Sequence, residues 1–350
     1  MNNFSSLKVV GLNKVTSDSV SITFEIPAER TNEFKFVEGQ YITLKTSIKG
    51  ESVQRAYSIW KAPHEKELAV LVKKVENGVF STYANESLKV GDVLEVMPPQ
   101  GNFVPKLNSS NKNHYTLFAA GSGITPIFSI LKAILRTEEN STIDLFYLNK
   151  TKTSVIFSEE LNNISSDNLK IHYLYTREEV EDSLLKGRIN KSKLTDLTKA
   201  GLLNLESYQY FSCGPETMIL DINEFLASKR IEESKIKFEL FTTSGSDNVE
   251  EIQTEISESA ITITIDDDEF DYVYKVDSAE SILDEGIEQG LDLPYSCKGG
   301  VCCTCRAKIM EGTAKMKINY ALTDQEVADG YVLTCQTVPT SPVLKVSFDD

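Results

Sequence analysis

Apolar and polar positions alternate in short runs along the first hundred residues: Val20-Ser21-Ile22-Thr23-Phe24-Glu25-Ile26, Tyr41-Ile42-Thr43-Leu44 and Leu68-Ala69-Val70-Leu71-Val72. Turn residues separate the runs, and a period of two at this spacing predicts an antiparallel β-barrel over residues 7 to about 106. From Tyr115 the pattern changes. The run Tyr115-Thr116-Leu117-Phe118-Ala119-Ala120 passes through Gly121-Ser122-Gly123 into a helix reaching about Leu135, and further strands at 142–148, 169–175 and 207–212 alternate with helical segments. That alternation predicts an α/β parallel sheet, with Phe238-Glu239-Leu240-Phe241 as a closing strand. Residues 242–258 are polar, acidic and short of aromatics, and read as a tether. Beyond them 260–265 and 270–274 predict a hairpin turned by Asp266-Asp267-Asp268. A helix should then open with Ser278 as its cap and end at Gly290. The 350 residues therefore divide into a β domain over 1–110, an α/β domain over 111–241, a linker over 242–258 and an α+β domain over 259–350.

The last of these carries Cys297-Lys298-Gly299-Gly300-Val301-Cys302-Cys303-Thr304-Cys305, with Cys335 thirty residues on. Cys297, Cys302, Cys305 and Cys335 give C-x4-C-x2-C and a distant fourth thiol, the spacing by which four thiolates hold a plant-type [2Fe–2S] cluster. A zinc ribbon would show two separated C-x2-C pairs, and a Rieske centre needs two histidines where this chain has only His64, His114 and His172, all far upstream. All-thiolate ligation implies a low potential, roughly −400 mV. Gly299 and Gly300 let the loop curl around sulfur and aim N–H groups at it. Using Cys303 in place of Cys302 would break the spacing, so it reads as a non-ligand. Cys335 alone could equally be a core residue in a strand, and the upstream triple decides for ligation.

Charge changes the picture once it is divided along the chain. Residues 1–243 are close to neutral, while 244–350 carry 22 acidic and 7 basic side chains of the total net charge of −16. An acidic body of this kind speeds association with a basic partner surface and repels nucleic acid. The amino terminus lacks a basic and apolar leader, and no stretch of eighteen apolar residues occurs, which predicts a chain that neither enters membranes nor is exported. With four of six cysteines in one motif, a reducing cytoplasm is the expected compartment.

Five further motifs are weak singly: Arg55-Ala56-Tyr57-Ser58, Gly78-Val79-Phe80-Ser81, Gly121-Ser122-Gly123-Ile124-Thr125-Pro126, Cys213-Gly214-Pro215 and Glu239-Leu240-Phe241. The glycine turn suits a pyrophosphate at a helix N-terminus but lacks the third glycine of the usual Rossmann fingerprint. In this order, and with the cysteine motif behind them, the chain resembles the ferredoxin–NADP reductase superfamily with a C-terminal plant-type ferredoxin. The resemblance implies an FAD-binding barrel, an NAD(P)-binding α/β domain and a β-grasp ferredoxin domain. It further implies that Arg55 and Ser81 hold the flavin diphosphate, Tyr57 stacks on the isoalloxazine, and Ser58 bonds near its N5. Leu71, Val72 and Lys73, with Val79 and Phe80, would line FAD, while Glu239 and Phe241 would close the flavin site. The turn 121–126 would take the dinucleotide, Cys213 would lie beside the nicotinamide, and Lys150, Thr176 and Arg177 would meet the 2′-phosphate of NADPH. Ser58, Cys213 and Glu239 are the expected catalytic residues.

Hydride donors give two electrons together and iron–sulfur centres accept them singly, so FAD is the expected converter between NADPH (or NADH) and the cluster. The expected recipient is the oxygenase component of a multicomponent system, a di-iron protein docking on the acidic ferredoxin domain. A ring-hydroxylating or steroid-hydroxylating oxygenase is the alternative recipient, and an iron–sulfur sensor or carrier is an alternative from a different class.

Overall fold

The protein, a computed structural model, is described over residues 4–241, 252, 256–276 and 280–349. These residues form two compact units, one of 6–53 and 57–241 and the other of the remainder.

The first strands are β1 (Ser5–Thr16), β2 (Ser19–Glu25), β3 (Tyr41–Ile48), β4 (Glu51–Ser58), β5 (Leu68–Lys73) and β6 (Val93–Val96), hydrogen-bonded in the order β4-β3-β6-β1-β2-β5. A bridge from Ile59, just past β4, to Val70 of β5 joins the two outer strands and closes the barrel. Period-two patterning does what it should: on β1 Leu7 and Val9 are fully buried while Lys8 between them is exposed. Phe80 and Ala84, one turn apart on α1 (Val79–Glu86), enter the same core as Ile22, Leu44 and Val72.

The α/β body follows as β7 (His114–Ala120), α2 (Ile124–Thr137), β8 (Thr142–Asn149), α3 (Ser158–Asn162), β9 (Leu169–Tyr175), α4 (Lys191–Lys199), β10 (Gln209–Gly214), α5 (Glu216–Ser228) and β11 (Ile236–Leu240). The sheet is parallel, in the order β11-β10-β7-β8-β9. The chain moves outward from β7 to β9 and then returns to the other side of β7, so the topological switch lies between β7 and β10. Ligands of open parallel sheets bind at such a switch, outside the carboxyl ends of the strands.

Barrel and α/β sheet meet along an aromatic seam. Trp60 lies 4.6 Å from Phe157 and 6.3 Å from Phe128 of α2, ring centroid to centroid. The ammonium groups of Lys61 and Lys132 sit 4.5 and 4.8 Å from the Trp60 ring and both pair with Glu65. Burying each such aromatic is worth roughly 1.5–3 kcal/mol. The second fastening is Glu138, just past α2. Its carboxylate is fully buried and accepts hydrogen bonds from the Asn108 N–H (3.0 Å), Asn111 Nδ2 (2.7 Å), the Tyr115 hydroxyl (3.0 Å) and the Ser141 hydroxyl (2.7 Å). It thereby ties the connection leaving the barrel to the first strand and helix of the α/β body.

The second unit holds β12 (Glu258–Ile265), β13 (Asp268–Lys275), α6 (Ile282–Glu288), β14 (Arg306–Glu311), β15 (Ala314–Met316), α7 (Asp324–Ala328), β16 (Tyr331–Leu333), β17 (Thr337–Pro339) and β18 (Val343–Ser347). Its main sheet runs β13-β12-β18-β14-β16, with β12 and β18 parallel and the other pairs antiparallel. The expected hairpin is present. Asp266 and Asp267 both take positive φ (56° and 66°), the two-residue turn that matches strand twist, and their N–H groups donate to the Asp349 carboxylate at 2.9 and 3.0 Å. The helix before the cysteine loop begins later than expected. Ser281 caps it, its hydroxyl accepting the Asp284 N–H at 3.1 Å and donating to the Asp284 carboxylate at 2.5 Å. Ser281 has an acidic residue three places on, the pattern that stabilises a first turn, whereas Ser278 has none and lies outside the described residues. Gly290, at φ +91°, follows the helix end as expected. Most of the expected tether, 242–251 and 253–255, is also outside the described residues.

Candidate functional site

At the topological switch the ends of β7 and β10 approach more closely than any side chain permits. A Cβ on Gly123 would stand 2.2 Å from the Cys213 carbonyl oxygen, and one on Gly214 would stand 2.9 Å from the Ala120 Cβ. Gly121 instead needs its freedom for conformation, at φ +53°, with open space where a side chain would be. The turn 121–123 delivers α2 with no side chain capping its first N–H groups. Those donors, and the dipole behind them, fit a dinucleotide's pyrophosphate. Thr125 steadies the turn, its hydroxyl donating to the Ser122 carbonyl at 3.0 Å, and Pro126 is buried in the first helical turn.

Beside that turn the structure gathers the three residues expected to be catalytic. Parallel pairing of β10 with β11 sets Cys213 opposite Glu239. The Ser58 hydroxyl, at the end of β4, donates to the Glu239 carboxylate at 3.0 Å. Glu239 keeps some solvent exposure as a residue, but its carboxyl lies among protein atoms, and that burial pushes it up to about 8 from an ordinary 4.5. Burial, and after it the nearby Glu239, hold the fully buried Cys213 thiol well above its usual range. At neutral pH the cluster of Ser58, Cys213 and Glu239 is therefore chiefly uncharged, a setting for orienting a ring rather than for nucleophilic attack.

The other barrel residues differ in exposure and in the contacts their side chains already make. Arg55 is exposed on β4, its guanidinium donating to the Gln54 carbonyl at 2.7 Å, with Ala56 half-buried beside it. Tyr57 is half-buried with its ring 5.4 Å from that of Phe80. Leu71, Val72 and Phe80 are buried, so what they offer at a surface is main chain, whereas Val79 is exposed and Lys73 pairs with Asp18 at 3.6 Å. The Ser81 hydroxyl donates to the Gly78 carbonyl and accepts the Val75 N–H, fixing the turn that starts α1. Gly78 is required there because a Cβ would meet Ser81 Oγ at 2.3 Å. Phe241 is partly exposed just past β11, and Pro215 caps α5 immediately after Gly214.

After β8 and β9 the loops are laced together, Thr176 N–H to the Asn149 carbonyl (3.0 Å) and Arg177 N–H to the Lys150 carbonyl (2.9 Å). This sets the exposed side chains of Lys150 and Arg177 on neighbouring loops at the carboxyl edge, neither in an ion pair among the described residues.

In the second unit the four motif cysteines converge. Cys302 Sγ lies 3.2 Å from Cys297 Sγ, and the Cys335 thiol neighbours those of Cys297 and Cys305. The Gly299 N–H points at Cys297 Sγ (3.4 Å), and Gln336 Nε2 spans the Lys298 carbonyl (2.9 Å) and Cys335 Sγ (3.8 Å). Gly300, at φ +71°, passes so near the Ile318 carbonyl that a Cβ would meet it at 2.9 Å. Among the described residues no three His, Cys, Asp or Glu side chains are disposed to hold a single metal ion. Four buried or half-buried thiols with N–H donors aimed at sulfur fit a [2Fe–2S] cluster, whose ligands are shared between two irons. Cys303 turns elsewhere, its thiol 3.7 Å from the Ala321 carbonyl.

Two residues of weight were not singled out by the sequence, Glu138 and Tyr147. The Tyr147 hydroxyl lies 3.1 Å from the Gly121 carbonyl, beneath the glycine turn.

Comparison with known proteins agrees with this geometry. Residues 6–104 match the oxidoreductase FAD-binding domain family, 117–224 the oxidoreductase NAD-binding domain family and 264–340 the 2Fe-2S iron-sulfur cluster binding domain family. The E component of 1,2-phenylacetyl-CoA epoxidase from Escherichia coli is 38% identical over 353 aligned positions, spanning 100% of this chain and 99% of that protein. The ferredoxin reductase component of 3-ketosteroid-9-alpha-monooxygenase from Rhodococcus rhodochrous is 30% identical, spanning 98% of this chain and 96% of that one. Among solved structures, phthalate dioxygenase reductase shares the fold at a TM-score of 0.60 and 21% identity, over 99% of this chain and 98% of its own. Among the described residues no helix is long and apolar enough to cross a membrane.

Proposed function

This chain belongs to the ferredoxin–NADP reductase superfamily, among the members with a C-terminal [2Fe–2S] domain, and from that premise we propose that it is the reductase subunit of a phenylacetyl-CoA epoxidase. It is an NAD(P)H-dependent flavin and iron–sulfur oxidoreductase, of a kind whose relatives are reductase components of oxygenases. The observation that carries the choice of oxygenase is the end-to-end identity of 38% with the E component of the epoxidase. The 30% identity with a steroid monooxygenase reductase supports the alternative recipient less strongly. We assign residues 1–110 to FAD, 111–241 to NAD(P), 242–258 to a linker and 259–350 to the cluster.

When bound, FAD supplies the conversion of a two-electron hydride donor into single electrons that a [2Fe–2S] cluster can carry. The protein's own part is placement. Arg55 and the turn at Gly78–Ser81 hold the flavin diphosphate, Tyr57 covers the ring, and the Ser58 hydroxyl, held by Glu239, fixes the ring's edge. Gly121, Gly123 and the first amides of α2 take the dinucleotide, and Cys213 with Gly214 and Pro215 bounds the nicotinamide. Cys297, Cys302, Cys305 and Cys335 ligate the cluster. The acidic body over 244–350 docks a di-iron oxygenase through its basic surface.

Lys150 and Arg177, outside any ion pair among the described residues and on adjacent loops, with Thr176 between them in the hydrogen-bond lacing, supply the charges for a 2′-phosphate and favour NADPH over NADH. Anaerobic titration of the holoprotein tests the whole reading: NADPH should bleach the flavin and iron–sulfur bands together. Bleaching of flavin alone would break the proposed coupling, and bleaching of neither would overturn the reductase assignment. In each of the single variants Lys150→Ala and Arg177→Ala the KM for NADPH should rise about tenfold, the worth of about 1.5 kcal/mol from one charge-assisted hydrogen bond, with NADH unaffected. An equal rise for both nucleotides would remove the phosphate role.

Glu239 supplies a pH test. An acid whose folded pKa lies above its unfolded value stabilises the fold in its protonated form, so this contribution is complete below pH 4.5 and is lost as pH rises through about 8. Glu239→Gln, neutral throughout, should flatten the decline of thermal stability across that window. A profile unchanged by the substitution would place the decline in other groups.

A further inference from the structure

The dinucleotide turn is open to solvent on its outer side, where nothing lies within 4 Å of the position a Cβ on Gly121 would occupy. A buried hydroxyl supports it from beneath. Tyr147, on β8 and fully buried, places its hydroxyl 3.1 Å from the Gly121 carbonyl and 3.3 Å from the Ile156 carbonyl, and accepts the Ile156 N–H at 3.2 Å. The Gly121 carbonyl also accepts the Ile124 N–H within the turn, so the turn closes without Tyr147. The tyrosine therefore adds orientation to a turn that already exists. Its second attachment reaches further: Ile156 precedes Phe157, which holds φ +60° and packs 4.6 Å from Trp60, two residues beyond Ser58. One hydroxyl links the peptide that faces the dinucleotide to the loop that packs on Trp60, just past the strand carrying Ser58.

We propose that Tyr147 is a positioning residue for the nicotinamide dinucleotide, setting the plane of the Gly121 peptide and with it the aim of the amides at 122–124. The inference rests on the assignment of 121–126 as the dinucleotide turn. Its effect falls on binding that ground state and transition state share, so it moves KM and leaves kcat.

The neighbouring strand provides a matched control. Among the described residues the buried Tyr173 hydroxyl has no hydrogen-bond partner, and its ring lies 6.1 Å from that of Tyr147. Steady-state reduction of an artificial acceptor by the FAD- and cluster-loaded holoprotein is measured for wild type, Tyr147→Phe and Tyr173→Phe with NADPH and NADH. Tyr147→Phe should raise the KM of both nucleotides roughly five- to tenfold with kcat within about twofold, because the pyrophosphate is common to both. Tyr173→Phe should match wild type. A wild-type KM in Tyr147→Phe, or an equal rise in Tyr173→Phe, overturns the positioning role while leaving the reductase assignment intact. Failure of wild type to oxidise either nucleotide removes the assignment and the inference together. Should Tyr147→Phe lose flavin, equilibrium binding of NADP⁺ to the flavin-reconstituted variant decides: affinity equal to wild type overturns the proposal, and affinity reduced by the same factor sustains it.

Discussion

Cys335→Ser is expected to abolish the iron–sulfur absorbance and the electron paramagnetic resonance signal of the reduced protein while NADPH still bleaches the flavin. Cys335 sits at 5% exposure in the turn after β16, a turn pinned by the Thr334 N–H and hydroxyl, both donating to the Cys305 carbonyl at 3.0 Å. The backbone therefore stays in place when sulfur is exchanged for oxygen. A serine hydroxyl holds its proton at neutral pH and is a hard donor where iron–sulfur centres use thiolates. Even outer-shell changes at metal sites cost about 10–100-fold in affinity or activity, and loss of a ligand should exceed that, leaving single-electron delivery at the rate of flavin alone. Cys303→Ser is the companion. Its thiol faces the Ala321 carbonyl, and the cluster should assemble normally. A full cluster in Cys335→Ser, or none in Cys303→Ser, would overturn the ligand set.

The second large effect is on stability. Glu138→Ala leaves the Asn108 N–H, the Asn111 amide and the Tyr115 and Ser141 hydroxyls facing a hole in a buried site. Each buried donor stripped of its acceptor costs about 1–3 kcal/mol, and some of the four will find water, so a loss of about 3–5 kcal/mol is expected. For a unit of this size that lowers the melting temperature by about 10 °C, followed by circular dichroism. Glu138→Gln keeps one acceptor oxygen and the shape, and should fall between. If Glu138→Ala melted with wild type, the network would be ornament and the barrel connection would be held by the aromatic seam alone.

Much of this architecture is legible in the order of residues because its causes are local. Leu7 and Val9 point inward for the same reason that Lys8 points out, and within the cysteine loop Cys297 meets the Gly299 N–H and the Cys302 thiol, near neighbours in sequence. The residues that escape a reading of the sequence are those whose partners are distant. Tyr147 looks like one more apolar position in Leu145-Phe146-Tyr147-Leu148, and only folding brings its hydroxyl to a carbonyl 26 residues away. Glu138 stands in Glu138-Glu139-Asn140, which reads as a solvated turn, yet Tyr115 reaches it from 23 residues upstream and Asn108 from 30. Ser281 holds the cap expected of Ser278 because the carboxylate three places beyond it completes the first turn, a local cue that outweighs the earlier serine. The site itself shows the same division. The glycines and Cys213 announce themselves as strand-end motifs, while the committed state of the Ser81 hydroxyl appears only when the turn around it is seen.

Trp60 is the chain's single tryptophan, wedged between the two halves of the larger unit with its indole N–H bonded to the Ser21 hydroxyl at 3.0 Å. Intrinsic emission from this protein is therefore a one-pixel image. It registers the parting of barrel from α/β sheet, while the colour of the ferredoxin body comes from its cluster. A melt followed at the tryptophan wavelength and one followed at the cluster's visible bands report on different objects, and coincidence of the two curves would itself be a finding about how the bodies cooperate.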